Sequence, residues 1–247
     1  MKILYLSLFP EKNQCNEIQN LKYFMDSSIY YNIRDIFSYR LFSCYEQMSL
    51  VLRDMFLCNT YSQEALFNFD NETQVERLFF DIVYNSDMDN KDVYELAWAK
   101  QKIFSFMTFK KVYESFDYIL YTDPSIKLDS KDIYELCQVL KAKNKEQPHF
   151  INIPHVDTIQ KKVIQDSFES YILPTYLIPS ITYMEKSLYE LVQKDGKLSV
   201  NKPSDWILRQ QLLVDGYVEV RGESCNTRHY FNPNQYYEFD ANKLTAY

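Results

Sequence analysis

The sequence predicts an α/β fold with a mostly parallel central sheet flanked by helices, and three observations carry that prediction. Short β-branched and aromatic runs alternate with segments whose apolar residues recur every three or four positions. No repeat, low-complexity tract or Gly/Ser linker breaks the alternation, which points to a single domain over residues 1–247. With 46% hydrophobic and 25% charged residues, the chain has the composition of a globular protein with a sizeable core.

The elements follow in order. Lys2 to Phe9 is an apolar, β-prone run stopped by Pro10, a buried first strand. Ser43 to Phe56 has helical spacing, and Arg77 to Tyr84 (RLFFDIVY) reads as a strand closed by the polar loop NSDMDN. Asp92 to Phe116 reads as one long helix with Leu96, Ala99, Ile103, Phe106, Phe109 and Tyr113 on its apolar stripe. The strand Tyr118 to Tyr121 comes next and runs into the turn TDPS. Ser130 then caps a helix, SKDIYELCQVLKAKNKEQ, with acids in its first turn and lysines in its last, as the helix dipole favours. HFINIPHV is a further strand. Helices around Tyr183 to Val192 and over Ser204 to Val214, the strand YVEV and a Tyr/Asn-rich tail complete the chain. In sheets of this kind ligands sit at the carboxyl ends of strands, which places SLFPEKNQ and YTDPSIKL on the functional rim.

Composition removes several classes of function. The chain has only 3 Gly, so Gly196, Gly216 and Gly222 cannot build GxGxxG, a P-loop or a GxSxG elbow. A net charge of −7 disfavours wholesale nucleic-acid binding, although a local basic groove is compatible with it. The 5 Cys are scattered, without CxxC, which suits reduced thiols and a cytoplasmic setting. No window approaches the roughly 20 apolar residues of a membrane-spanning helix, and MKILYLSLF reads as a strand, not a signal peptide. The 22 Tyr and 17 Phe, with abundant Ile, Asn and Lys, are compatible with AT-rich coding, as in a virus or phage.

The stretch from Trp98 to Leu128, WAKQKIFSFMTFKKVYESFDYILYTDPSIKL, is the most informative. It resembles the GT-A-fold glycosyltransferases, which use nucleotide sugars and often show a Lys-bearing helix before a "yDyilylDsD" strand end. Asp117, Tyr118, Ile119, Leu120, Tyr121 and Asp123 match that run. The resemblance implies a nucleotide-sugar-binding half over about 1–130 and an acceptor half with the C-terminal tail over about 131–247. It also implies Mn²⁺ or Mg²⁺ bridging the donor diphosphate, held by the two carboxylates of a DxD motif. Here the motif is degenerate: Ser125 replaces the second carboxylate. Asp123 keeps a contact to the donor sugar or ribose in this reading, with Ser7, Phe9, Ser125 and Arg228 as further donor-binding residues. The plain alternative for Asp123 is a turn residue ahead of Pro124.

The resemblance also extends to KPSDWILRQQLLVDGYVEV, where Asp205 stands at the position of an acid that deprotonates the acceptor or stabilises a cationic sugar. The plain alternative is that Ser204 or Asp205 starts a helix. In NTRHYFNPNQYY the resemblance makes His229 a metal ligand with Asp123, and Arg228 a counter-charge to the diphosphate; the plain alternative is a surface histidine beside an arginine. His149 and His155 read first as polar strand ends, and Lys100 and Lys102 as a solvated helix face. The literal DxD at Asp87 and Asp89 reads as the cap of the following helix.

These readings converge on a glycosyltransferase that passes a hexosyl or pentosyl group from a nucleotide sugar to an acceptor hydroxyl, on a glycan or on modified viral DNA. The Ser125 replacement leaves a second class open: a non-catalytic sugar-nucleotide or glycan-binding protein on the same fold. A nucleotidyltransferase is disfavoured, because no glycine-rich basic loop follows the first strand.

Overall fold

The computed structural model describes residues 1–9, 15–43, 74–77, 100–142 (apart from 102, 106, 110 and 124), 148–165, 168–195, 204–222 and 225–229. Strand β1 (Ile3–Phe9) lies in the interior of the main sheet, and its alternation builds both sides of the core. Ile3 and Tyr5 face one cluster; Leu4, Leu6 and Leu8 face the other. The helix α1 (Cys15–Asp26) covers the first side through Leu21, Phe24 and Met25. Strands β2 (Phe37–Ser43) and β3 (Gln74–Arg77) extend the sheet on one flank of β1, each in parallel register.

On the other flank β1 pairs in parallel with β4 (Tyr118–Thr122), which follows a helix α2 described within 100–109. A short β5 (Ile126–Lys127) leads into helix α3 (Ser130–Ala142), which lies beside α1 on the first face with Ile133, Leu136, Cys137 and Leu140. Strand β6 (His149–Asn152) enters the main sheet; β7 (His155–Asp157) and β8 (Lys162–Ile164) leave it. Strand β9 (Ser170–Pro174) returns between β4 and β6, antiparallel to both. Helices α4 (Ile178–Asp195) and α5 (Ser204–Val214) join α2 on the second face, burying Ile178, Ile181, Leu208 and Leu212. Then β10 (Val218–Arg221) completes that edge, and β11 (Arg228–His229) joins the small sheet.

Among the described residues, the main sheet therefore runs β10-β6-β9-β4-β1-β2-β3, parallel except at β9. The second sheet runs β5-β11-β7-β8. This is the α/β class that the sequence predicts, with a mostly parallel sheet and helices on both faces. Gly216 has φ +85, which only glycine adopts cheaply, and it turns the chain from α5 into β10.

Four expectations need correction. The long helix does not reach Phe116: Lys111 takes a left-handed conformation (φ 52), and a 3₁₀ turn over Val112–Ser115 follows. Phe109 is 80% exposed, and Phe104 and Met107 fill the core beside Ile103 instead. HFINIPHV is two strands in two sheets, because Ile153 and Pro154 leave the ladder between β6 and β7. The carboxylate that caps α3 belongs to Asp129, whose Oδ1 accepts from the amides of Lys131 (2.9 Å) and Asp132 (3.4 Å). Ser130 instead donates its hydroxyl to the Phe24 carbonyl at 2.8 Å and ties α3 to α1. The expected helix over Ser43 to Phe56, the strand beyond Arg77 and the Asp87–Asp89 pair lie outside the described residues.

The left-handed Lys111 supplies a test of this fold. Among the described residues its ammonium pairs with Glu114 at 3.6 Å on the open surface, an interaction of small value. Lys111→Gly removes a backbone penalty of about 1–2 kcal/mol against a glycine entropy cost of about 0.5–1 kcal/mol. A thermal melt should show the variant slightly more stable than the parent. A clearly destabilised variant would mean that the helix continues through this position.

Candidate functional site

At the carboxyl edge of the main sheet the buried side chains change from apolar to polar. Ser7, Thr122 and Ser170 are buried side by side in register on β1, β4 and β9. Ser7 donates its hydroxyl to the Thr122 carbonyl at 2.8 Å, and the Thr122 and Ser170 hydroxyls meet at 2.8 Å. These bonds satisfy the hydroxyls within the sheet, as buried polar groups require. The seam marks where the core ends and the rim begins.

Asp123 is the first residue past β4. Its amide donates to the Glu169 carbonyl at 3.2 Å, and its own carbonyl accepts from Ile126 at 2.9 Å, closing a turn over residues 123–126. Its Oδ1 accepts from the Tyr121 hydroxyl at 2.9 Å, which holds the carboxyl over a fully buried ring. Burial raises this carboxyl above the usual carboxylate range, and nearby Glu169 adds to that; Lys100, the Tyr121 hydroxyl and His229 oppose it without cancelling it.

Lys100 is not on a solvated helix face. It is 1% exposed, with its ammonium 5.1 Å from the centroid of the Tyr121 ring. From α2 it supplies positive charge to both Asp123 and Glu169. Burying a lysine is expensive unless anionic groups face it, so its presence and that of the two carboxylates explain one another.

Glu169 precedes β9, and the residue before it, Phe168, has φ 57. That left-handed conformation is costly for an aromatic residue. Stacking of Phe168 on Tyr171 at 4.4 Å and an edge contact with Phe150 hold it in place. Glu169 Oε2 lies 3.0 Å from His229 Nδ1 and 3.6 Å from His155 Nε2. Burial pushes the Glu169 carboxyl up, but the two imidazoles and Lys100 outweigh it, and the carboxyl ends below the usual range. For His155, burial dominates and the ring stays neutral to lower pH than an exposed histidine, although Glu169 works against this. The two rings meet edge to face, with centroids 5.1 Å apart. The ligand-capable atoms of His155, Glu169 and His229 all lie within 4.8 Å of one another.

The small sheet is what brings the two histidines together. Strand β11 pairs antiparallel with β5 and parallel with β7, so His229 sits opposite Ile126 and Asp157. Thr158 adds a bond from its hydroxyl to the His229 carbonyl at 2.8 Å. Upstream, the buried Asp132 carboxylate on α3 accepts four hydrogen bonds of 2.7–2.9 Å, from the amides of Asn226 and Thr227, the Asn226 side chain and the Thr227 hydroxyl. The loop before β11 is thereby clamped to the first turn of α3.

The sequence-derived candidates distribute unevenly. Asp123 and His229 come to the same rim, yet the three-residue ligand group contains His155 and Glu169 in place of Asp123. Ser125 sits half-buried in the turn after Asp123, and Arg228 is exposed on β11. Ser7 is committed to Thr122 inside the sheet. Asp205 is the second residue of α5, which runs back along β10 and so begins near the carboxyl edge; Phe9 ends β1. The side chains of Asp205 and Phe9 are outside the described set. His149 begins β6, at the opposite end of the sheet from the site. Glu169 was missed because no motif marks it. The signal available was an acid at the mouth of the apolar run SYILP.

No family model and no curated protein matches the chain. Among solved structures it is similar to a glycosyltransferase involved in the glycosylation of the major capsid of PBCV-1, at 6% identity and TM-score 0.47, over 100% of both chains. It is also similar to the 4-diphosphocytidyl-2C-methyl-D-erythritol synthase of Anaerococcus prevotii, at 8% identity and TM-score 0.46, over 90% of this chain and 88% of that one. A nucleotide-diphospho-sugar transferase of Desulfovibrio desulfuricans gives 8% identity and TM-score 0.44, over 93% and 83%.

The clamp at Asp132 makes a direct prediction. Asp132→Ala leaves two buried donors on Thr227 without their acceptor, at a cost of roughly 3 kcal/mol or more. The melting temperature should fall by roughly 6–12 °C, and amide exchange at Thr227 and His229 should accelerate more than exchange in β1 or β4. Uniform acceleration across both sheets would show that the clamp is not local to β11.

Proposed function

We propose that this chain is a nucleotide-sugar-dependent glycosyltransferase whose donor lies across the carboxyl edge of the main sheet. The observation that carries the reading is the inward-turned Asp123 carboxyl at the end of β4, facing the buried Lys100. Loops at this edge of an open α/β sheet converge on a crevice suited to a nucleotide. A carboxylate there accepts hydrogen bonds from sugar or ribose hydroxyls. Lys100 and the exposed Arg228 give the diphosphate cationic partners.

In the transfer itself the bond between the anomeric carbon and the diphosphate oxygen breaks, and the diphosphate leaves with the bonding electron pair. The acceptor oxygen forms the new bond to that carbon and gives up its proton, for which Asp205, at the start of α5, is the base. A divalent ion, when bound, supplies charge stabilisation to the leaving diphosphate. The sugar is a hexose or pentose and the acceptor a glycan hydroxyl or a hydroxymethylated base in viral DNA. A base acceptor would have to be flipped out of its duplex to reach the rim.

Thermal melts with UDP, GDP, CMP, CTP and common nucleotide sugars test this reading. A true donor at 100 times its Kd should stabilise the protein by about 2.7 kcal/mol, roughly 5–10 °C for a chain of this size. Asp123→Asn should abolish most of that shift. Asp205→Asn should keep it while donor turnover falls at least roughly 100-fold. A shift with CTP alone would favour nucleotidyl transfer. No shift with any nucleotide would favour a non-catalytic protein.

A further inference from the structure

We infer that His155 Nε2, His229 Nδ1 and Glu169 Oε2 form a centre for a first-row transition metal ion, with two nitrogen donors and one oxygen donor. Asp123 is not one of its ligands. This proposal stands apart from the donor reading and its test needs no nucleotide.

The first argument is geometric. Two ligand atoms, each about 2.1 Å from a common ion, lie about 3.0 Å apart at a right angle and about 3.4 Å apart at the tetrahedral angle. Glu169 Oε2 is 3.0 Å from one imidazole nitrogen and 3.6 Å from the other. Those two spacings are near those of adjacent ligands around one ion, and all three ligand atoms lie within 4.8 Å of one another.

The second argument is that the contacts do not account for themselves. Glu169 Oε2 is buried and makes no well-formed hydrogen bond, although it faces both rings. A structural His–Glu pair aligns an N–H with an oxygen lone pair. Here the two rings meet edge to face, and one nitrogen of each lies 3.0 or 3.6 Å from the same carboxylate oxygen.

The third argument is preorganisation. The ligands come from three separate segments, and backbone pairing or a clamp holds each of them in place. β7 holds His155; the Asp132 clamp, β5 and Thr158 hold His229; the strained Phe168 aims Glu169. Strain of that kind persists where surrounding structure enforces it, and it clusters at binding sites.

Donor chemistry sets the ion. Imidazole suits Fe²⁺, Ni²⁺, Cu²⁺ and Zn²⁺, and a set that mixes imidazole with carboxylate also admits Co²⁺ and Mn²⁺, whereas Mg²⁺ asks for oxygen ligands in near-octahedral array. Three protein ligands leave coordination positions open to water or to an anionic substrate oxygen.

The experiment uses the full chain, stripped with chelator and titrated with Co²⁺, Mn²⁺ and Mg²⁺ separately. Melting temperature and calorimetry give binding, and the Co²⁺ form gives a visible spectrum and paramagnetically shifted imidazole N–H resonances. The chain has only 3 His, so shifted resonances can be assigned by count. We expect Co²⁺ and Mn²⁺ to raise the melting temperature while Mg²⁺ at the same concentration does not, with two histidines shifted by Co²⁺. Glu169→Gln and His155→Gln should weaken Co²⁺ by roughly 100-fold or more, and Asp123→Asn should leave it within about threefold. If the ligand variants fail to fold, the Co²⁺ spectrum of the parent protein decides alone. Absence of shifted imidazoles, Mg²⁺ binding as tight as Co²⁺, or loss of metal in Asp123→Asn with retention in His155→Gln would each overturn the proposal.

Discussion

Strand β9 runs against both of its neighbours, and that reversal governs which groups can gather at the rim. In a parallel sheet, only residues that follow a strand reach the carboxyl edge. An inserted antiparallel strand delivers the residue that precedes it, here Glu169, to the same edge as Asp123. The amide of Asp123 then closes on the Glu169 carbonyl, so the two loops are one backbone unit. Both carboxylates, Lys100 and the two histidines are organised around that joint.

Placing so much charge against an apolar body is costly, and the structure shows how the cost is contained. Tyr121 and Tyr171 stack at 5.1 Å beneath the rim and form its floor. Tyr121 gives its hydroxyl to Asp123 and its ring face to Lys100, so one side chain serves an anion and a cation. On the far side of β6, Arg209 binds Glu219 through two nitrogens at 2.7 and 2.9 Å, and Arg221 joins them at 2.8 Å. Planar, bidentate pairing of this sort retains its value when partly buried. It fixes α5, and with it Asp205, against the edge strand.

Local sequence reported the fold well where local rules governed it. β1 and β4 were legible because β-prone apolar runs ended at clear breakers; α5 was legible because Ser204 and the period of Leu208 and Leu212 agree. The misreadings share one cause, which is that tertiary pairing overrode pattern. HFINIPHV looks like one strand, and only the arrival of β11 beside β7 shows why it must be two. The helix toward Phe116 keeps its period through Lys111, but the chain has to turn there so that Asp117 can meet the start of β1, where its carboxylate accepts from the Lys2 amide at 2.8 Å. The site was half legible. Asp123 and His229 carried a family pattern, whereas Glu169 and His155 gain meaning only from a sheet topology that no short window encodes.

The Asp132 clamp has a further consequence, for the order in which the molecule assembles. It joins groups 94 and 95 positions apart in the chain, and His229 cannot be placed until that loop has closed. The pairing of β1 with β4 spans even more chain, 115 positions at the Ser7–Thr122 bond. Closing loops of that length costs entropy before any contact rewards it, so separation alone does not rank the two. Synthesis order does: β1 and β4 are both made well before Asn226 and Thr227. A nascent chain can therefore hold its first strands together while the last wall of the rim is still unmade.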